Sequence, residues 1–170
     1  MLRILIDGYN LIHASREADF GWTDLSLEKA REALVNFLVT TRRPAMEEIT
    51  VVFDGASGVG YPREATARGV TVVYSEPGTS ADDVICRMVT ESPNPRKYLV
   101  VSKDRQIRET VLAVGAQVVS PESFLERSQE EHEKRRRAGP AEPKEKYTGV
   151  RPSEVERWRK IFGFDDEEKK

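Results

Sequence analysis

A single cysteine, two histidines and the absence of any run of about 18 apolar residues set the first limits on this chain of 170 residues. One cysteine, Cys86, allows neither an internal disulfide nor a cysteine-based zinc site, and fits a reducing cytoplasm. It lies at helical spacing among Val84, Ile85, Met88 and Val89 and reads as a small core residue. Neither His13 nor His132 follows a strand-like run, so no histidine is placed to act as a base at a strand end. The opening Met1–Ile6 is cut by Asp7 before it reaches the length of a signal sequence, so neither secretion nor membrane spanning is expected. Charge of one sign is also lacking, with a net charge of -2 and 33% charged residues. Phosphate-binding domains are often basic, whereas residues 1–125 carry 17 acidic and 14 basic side chains. Five of those acids are Asp7, Asp54, Asp82, Asp83 and Asp104. If they gather around cations, the remainder of this segment is basic, so net charge excludes no nucleic acid.

Short apolar, β-branched runs occur at Leu2–Ile6, Ile49–Phe53, Val70–Tyr74, Tyr98–Val101 and Gln117–Val119. Between them, Leu27, Ala30, Leu34 and Phe37/Leu38 share one helical face, Val84, Ile85, Met88 and Val89 a second, and Ile107, Val111 and Leu112 a third. Continuous apolar strands linked by helices predict an α/β domain with three layers and a mainly parallel sheet of five strands, buried on both faces. The segment Gly55–Pro62 has three glycines and a proline and predicts a loop between the second and third of these runs. A helix is expected from Glu122 to about Arg137, followed by a proline-marked linker and an amphipathic piece with Val155, Trp158 and Phe162 on one stripe. The division expected is therefore a domain over residues 1–125 and a helical tail over residues 126–170.

Aspartates recur where these strands end. Asp7 follows Ile4-Leu-Ile6, Asp54 follows Val51-Val-Phe53, Asp104 comes just after Leu99-Val-Val-Ser102, and Asp82 opens the helix after the third run. In a parallel sheet all four fall on the edge where ligands bind. Singly, each is explained as a helix cap or turn residue. Together they are harder to dismiss, because two charges 4 Å apart repel by roughly 4 kcal/mol at an effective dielectric of 20. Such a cluster demands cations or protons, and hard oxygen ligands select Mg²⁺ or Mn²⁺. Metal-assisted phosphodiester hydrolysis becomes the leading chemistry. Asn10, two residues beyond Gly8, is placed to hold Asp7. Ser80 and Asp83 fit a capping arrangement, Ser80-Ala-Asp-Asp83, and with Ser102 they are expected to support the cluster from behind.

The motif Ile6-Asp-Gly-Tyr-Asn-Leu-Ile12 resembles the signature of NYN domains, a branch of the PIN-like nucleases. Val52-Phe-Asp54, Ser80-Ala-Asp82 and Val101-Ser-Lys-Asp104 are similar, in order, to the later acidic motifs of YacP-type NYN proteins. This resemblance implies a PIN-like sandwich in which Asp7, Asp54, Asp82 and Asp104 bind metal for RNA cleavage, with Asn10 in the same motif. It also implies an endoribonuclease that acts on messenger RNA in association with the ribosome.

Arg63, Lys103 and Arg105 leave the same edge as the carboxylates and are candidates for phosphate contacts. Lys134, Arg135, Arg136 and Arg137 could grip RNA or simply complement a helix end. A haloacid-dehalogenase-type phosphatase needs a second aspartate where Tyr9 stands, and a Rossmann nucleotide binder needs Gly-x-Gly-x-x-Gly. The rival reading that stays open is a non-catalytic RNA- or ribosome-binding protein with the same fold.

Overall fold

Residues 1–18, 20–55 and 64–138 are described by the computed structural model. All five predicted runs are strands. Leu2–Asp7 forms β1, Glu47–Phe53 β2, Val70–Tyr74 β4, Tyr98–Val101 β5 and Gln117–Val119 β6. A sixth strand, β3 (Glu64–Ala67), precedes β4 and pairs with it antiparallel, so the sheet runs β3-β4-β2-β1-β5-β6 and all its other pairings are parallel. The expected count of five omits β3 because Glu64-Ala-Thr-Ala67 is short and lacks the large β-branched residues that mark its neighbours. Arg68 (φ 50°) and Gly69 (φ 76°), both left-handed, form the tight turn that reverses the chain between the two.

Among the described residues five α-helices cover the sheet: α1 (Gly8–Ala14), α2 (Leu27–Thr41), α3 (Ala81–Thr90), α4 (Arg105–Ala113) and α5 (Pro121–Arg137). Period-2 alternation in the strands sorts side chains to opposite faces. Ile4, Ile6, Val51, Phe53 and Val101 pack with Leu11, Leu34, Leu38 and Leu125 from α1, α2 and α5. Leu5, Val52 and Val100 pack with Val84, Ile85, Ile107 and Val111 from α3 and α4. Phe53, Leu5 and Ile6 are among the largest fully buried side chains, each stabilising the fold by about 1.5–3 kcal/mol. Leu27 and Leu112, expected on buried faces, stay about half exposed. Leu27 lies in the first turn of α2, and Leu112 is turned about 100° away from Val111.

Helix starts are written locally. Ser26, Ser80 and Ser120 cap α2, α3 and α5, with Pro121 in the first turn of α5. Helix α5 carries Phe124 and Leu125 into the core and runs through the 125/126 division expected from sequence. No helix among the described residues is long and apolar enough to cross a membrane. Residues 56–63, including the RNA-contact candidate Arg63, and the amphipathic stripe at Val155, Trp158 and Phe162 lie outside the described residues.

Candidate active site

The strand order places β1 in the centre, hydrogen-bonded to β2 on one side and β5 on the other. Beyond β1 the chain steps outward to β2 and β4, then crosses back to β5, so the order reverses between β1 and β5. The C-terminal ends of β1 and β5 therefore flank the crevice where parallel sheets bind ligands. Asp7 ends β1, Asp54 follows β2 and Asp104 follows β5.

Three of the four aspartates are anchored by backbone N–H groups at helix starts. Asp7 is the N-cap of α1, accepting from the Asn10 backbone N–H at 3.1 Å, while its other oxygen accepts from Asn10 Nδ2 at 2.6 Å. The helix begins at once after the strand because Gly8 has no side chain: a Cβ there would lie 2.3 Å from the Phe53 ring. The Asp-Gly-Tyr-Asn motif is thus the first turn of a helix rather than an isolated turn, a distinction the local residues leave ambiguous. Asp54 accepts from the N–H of Ala81, the first residue of α3, at 2.7 Å. Its neighbour Gly55 donates to Ser75 Oγ at 2.9 Å, and a Cβ on Gly55 would meet the Ser75 carbonyl oxygen. Asp104 caps α4 through Ile107 N–H at 3.0 Å, and its own N–H donates to the buried Ser102 Oγ at 3.1 Å. Positive helix ends thus face the carboxylates and offset part of their repulsion.

Asp82, in the first turn of α3, is held differently. Burial and then the charges of Asp7, Asp104 and Asp54 push its carboxyl up to about 6, and a proton on it is further held by a hydrogen bond to Asp7. Asp7, buried, is also raised, first by desolvation, although the Asn10 hydrogen bonds oppose the shift and the charge of Asp54 adds to it. Asp82 therefore feels the charge of the other three aspartates, and Asp7 that of Asp54. Among the described residues, no three acidic, histidine or cysteine side chains are gathered tightly enough to hold a metal as they stand. That agrees with Asp7, Asp54 and Asp104 each being turned to a backbone N–H. In hardness and in charge the donor set suits a divalent cation, which would relieve the same excess of negative charge that raises Asp82.

Ser80 and Asp83 form a reciprocal capping box at α3, with Ser80 N–H and Oγ donating to Asp83 and Ser80 Oγ accepting the Asp83 N–H at 3.1 Å. These bonds hold the exposed Asp83 carboxyl below its ordinary range. Asp83 serves the helix start, and Asp82 the cluster. Lys103 and Arg105 flank Asp104 at the acidic edge. Lys103 reaches Glu122 of α5 at 3.3 Å, and Arg105 pairs with Glu109 at 2.7 Å.

The basic end of α5 lies elsewhere. Arg135 donates to the carbonyls of Thr41 and Arg42, which precede the N-terminal end of β2. Lys134 and Arg137 pair with Glu130 and Glu133 along α5, and Arg136 is exposed. A 17-residue helix is about 25 Å long, so Lys134–Arg137 stand at the sheet edge opposite the aspartates and are not brought together with them.

Sequence reasoning missed Arg31. It sits on the buried stripe of α2 between Ala30 and Leu34, and a cation at that helical position was a readable signal. The structure buries it against Tyr9, Phe53 and Tyr74. Tyr9 packs edge-on against Phe53, and Trp22 packs between Phe20 and Phe37; both rings serve packing.

Comparison with known proteins gives a consistent answer. The chain is similar in fold to a crystal structure of Rae1 (YacP) from Bacillus subtilis, with a TM-score of 0.64 and 20% identity over 81% of this chain and 79% of that one. A tryptophan-to-leucine variant of the same protein aligns with a TM-score of 0.64 and 22% identity, covering 81% and 80%. A search of curated proteins returns no significant match. The model of the YacP-like NYN domain matches residues 4–162, which is most of the chain. The protein belongs to the YacP-like NYN domain family, within the PIN-like nuclease superfamily.

Proposed function

We propose that the protein is a metal-dependent endoribonuclease that cleaves messenger RNA in association with the ribosome in the cytoplasm. The observation that supports this reading is the electrostatic meeting of four aspartates at the reversal point of the sheet, where Asp82 is driven up to about 6 by burial and by the charges of Asp7, Asp104 and Asp54. Asp7, Asp54, Asp82 and Asp104 would hold Mg²⁺ or Mn²⁺, which when bound supplies an activated water and charge stabilisation for phosphodiester hydrolysis. Asn10 fixes the orientation of Asp7 through two hydrogen bonds. Ser102 sets the Asp104 backbone, and the Ser80–Asp83 box sets the first turn of α3, where Asp82 sits. Lys103 and Arg105, beside the acids, offset repulsion between the site and RNA phosphates. The choice of messenger RNA and the ribosome follows the YacP-type motifs, whereas the acidic edge supports phosphodiester chemistry.

The anchoring of Asp7, Asp54 and Asp104 on backbone N–H groups favours one second reading, a non-catalytic RNA- or ribosome-binding protein whose aspartates are only helix anchors. Asparagine caps helices about as well as aspartate, so Asp7→Asn keeps the cap while weakening metal binding, and Asp82→Asn removes a carboxylate that caps nothing. Purified protein is incubated with RNA and Mg²⁺ or Mn²⁺, with and without translating ribosomes. Cleavage by wild type that is lost in both variants is expected. Equal cleavage by all three proteins overturns the site, and ribosome binding without any cleavage selects the second reading.

A further inference from the structure

Arg31 is 3% exposed, and among the described residues no carboxylate pairs with it and its Nε has no hydrogen-bond acceptor. A buried cation without a counter-charge is normally selected against, since an apolar side chain of similar volume would fill the same space as well or better. Its neighbours are specific. The guanidinium carbon lies 5.4 Å from the Tyr9 ring centre, 5.5 Å from that of Phe53 and 5.7 Å from that of Tyr74, and the guanidinium donates to the Tyr9 hydroxyl. All three distances are within cation–π reach. The rings are themselves in contact, Tyr9 edge-on to Phe53 at 5.2 Å and Phe53 stacked on Tyr74 at 5.8 Å.

Each ring belongs to a residue next to the acidic edge. Tyr9 lies between Gly8 and Asn10 in the turn that orients Asp7. Phe53 immediately precedes Asp54, and Tyr74 immediately precedes Ser75, whose Oγ accepts the Gly55 N–H. We propose that Arg31 is a positioning residue: by clamping Tyr9, Phe53 and Tyr74 from beneath, it fixes the first turn of α1 against the ends of β2 and β4 and so sets Asp7 relative to Asp54. This role rests on the nuclease reading above. Arg31 touches no substrate, because it is covered by the rings it holds.

The test uses the full chain and the variants Arg31→Met, Arg31→Lys, Tyr9→Phe and Asp82→Asn, with three measurements: the Asn10 side-chain amide signals in ¹H–¹⁵N spectra, Mn²⁺ titration followed by thermal shift, and kcat and KM for RNA cleavage. Arg31→Met is expected to remain folded, to displace the Asn10 amide signals, and to raise the Mn²⁺ half-saturation and lower kcat by about 10–100-fold, the usual effect of losing a residue that orients metal ligands. KM for RNA stays unchanged, and Arg31→Lys recovers part of the Mn²⁺ response. Should Arg31→Met fail to fold, Tyr9→Phe removes only the acceptor hydroxyl and is expected to move the same measurements in the same direction. Wild-type values for Asn10, Mn²⁺ and kcat in the folded variant overturn the proposal. Mn²⁺ binding that is lost in Asp82→Asn but intact in Arg31→Met overturns the role of Arg31 alone. A wild-type protein that neither binds Mn²⁺ nor cleaves RNA overturns the nuclease reading, and the role of Arg31 falls with it.

Discussion

Replacing Asp82 by Asn is expected to make the metal-free protein more stable while abolishing cleavage. Moving a carboxyl from its ordinary 3.8 up to about 6 corresponds to about 3 kcal/mol. Asp82 is half-buried, and both solvent screening and the favourable field of the α3 N-terminus reduce this to about 1 kcal/mol. The raised value means that the folded state holds a proton which the unfolded chain releases. Below 3.8 both states are protonated and Asp82 imposes no penalty. As pH rises from 3.8 to 6 the folded state loses stability, and above 6 the full penalty applies. Thermal melts of wild type and Asp82→Asn in EDTA at pH 8 should therefore differ by about 2–4 °C in favour of the variant, and the difference should close at pH 4. Saturating Mg²⁺ should reverse the order, since a ligand at about 100 times its dissociation constant stabilises by about 2.7 kcal/mol and the variant lacks one of its four carboxylates. If Asp82→Asn melts no higher than wild type at pH 8 without metal, or gains as much from Mg²⁺, the clustered-carboxylate account is wrong.

Asp83→Ala removes the two bonds that Ser80 donates to the Asp83 carboxyl and should lower the melting midpoint slightly while leaving the Mg²⁺ response intact, so parallel melts separate the adjacent aspartates. Gly8→Ala forces a methyl onto the buried Phe53 ring and should destabilise by about 1–3 kcal/mol, read as a lower urea midpoint. Leu34→Ala empties a fully buried position between α2 and the sheet and should lower stability by about 2–5 kcal/mol in the same assay. Lys103→Ala should weaken binding of a short RNA and lower its salt slope by about one. The Lys134→Ala and Arg137→Ala pair should leave that binding unchanged, because these residues lie at the opposite edge of the sheet; nitrocellulose filter binding across a salt series checks both.

Much of the architecture follows from one-dimensional pattern. Apolar runs at Leu2–Ile6, Ile49–Phe53 and Tyr98–Val101 become β1, β2 and β5, because strands buried on both faces need no polar alternation. Serine caps start α2, α3 and α5 where Ser26, Ser80 and Ser120 stand, since capping acts over three residues. The short helix after Asp7 was hidden, because Asp-Gly-Tyr-Asn satisfies a turn and a helix start equally well. The extra strand β3 was hidden too, because its pairing with β4 depends on the partner and not on its own four residues.

The sequence by itself determined that four aspartates stand at the C-terminal ends of strands or the start of the following helix, and that they sit on one edge of a parallel sheet, because period and order are local properties. Only the tertiary structure decided that β1 lies between β2 and β5, bringing Asp7, Asp54 and Asp104 within electrostatic reach of Asp82. Strand order is fixed by crossover packing over tens of residues and is not written in any one segment. The same is true of the cations: nothing near Arg31 or Arg135 in the chain shows that the first lies beneath the acidic edge and the second at the far end of the sheet. Helix packing places each relative to strands remote in sequence.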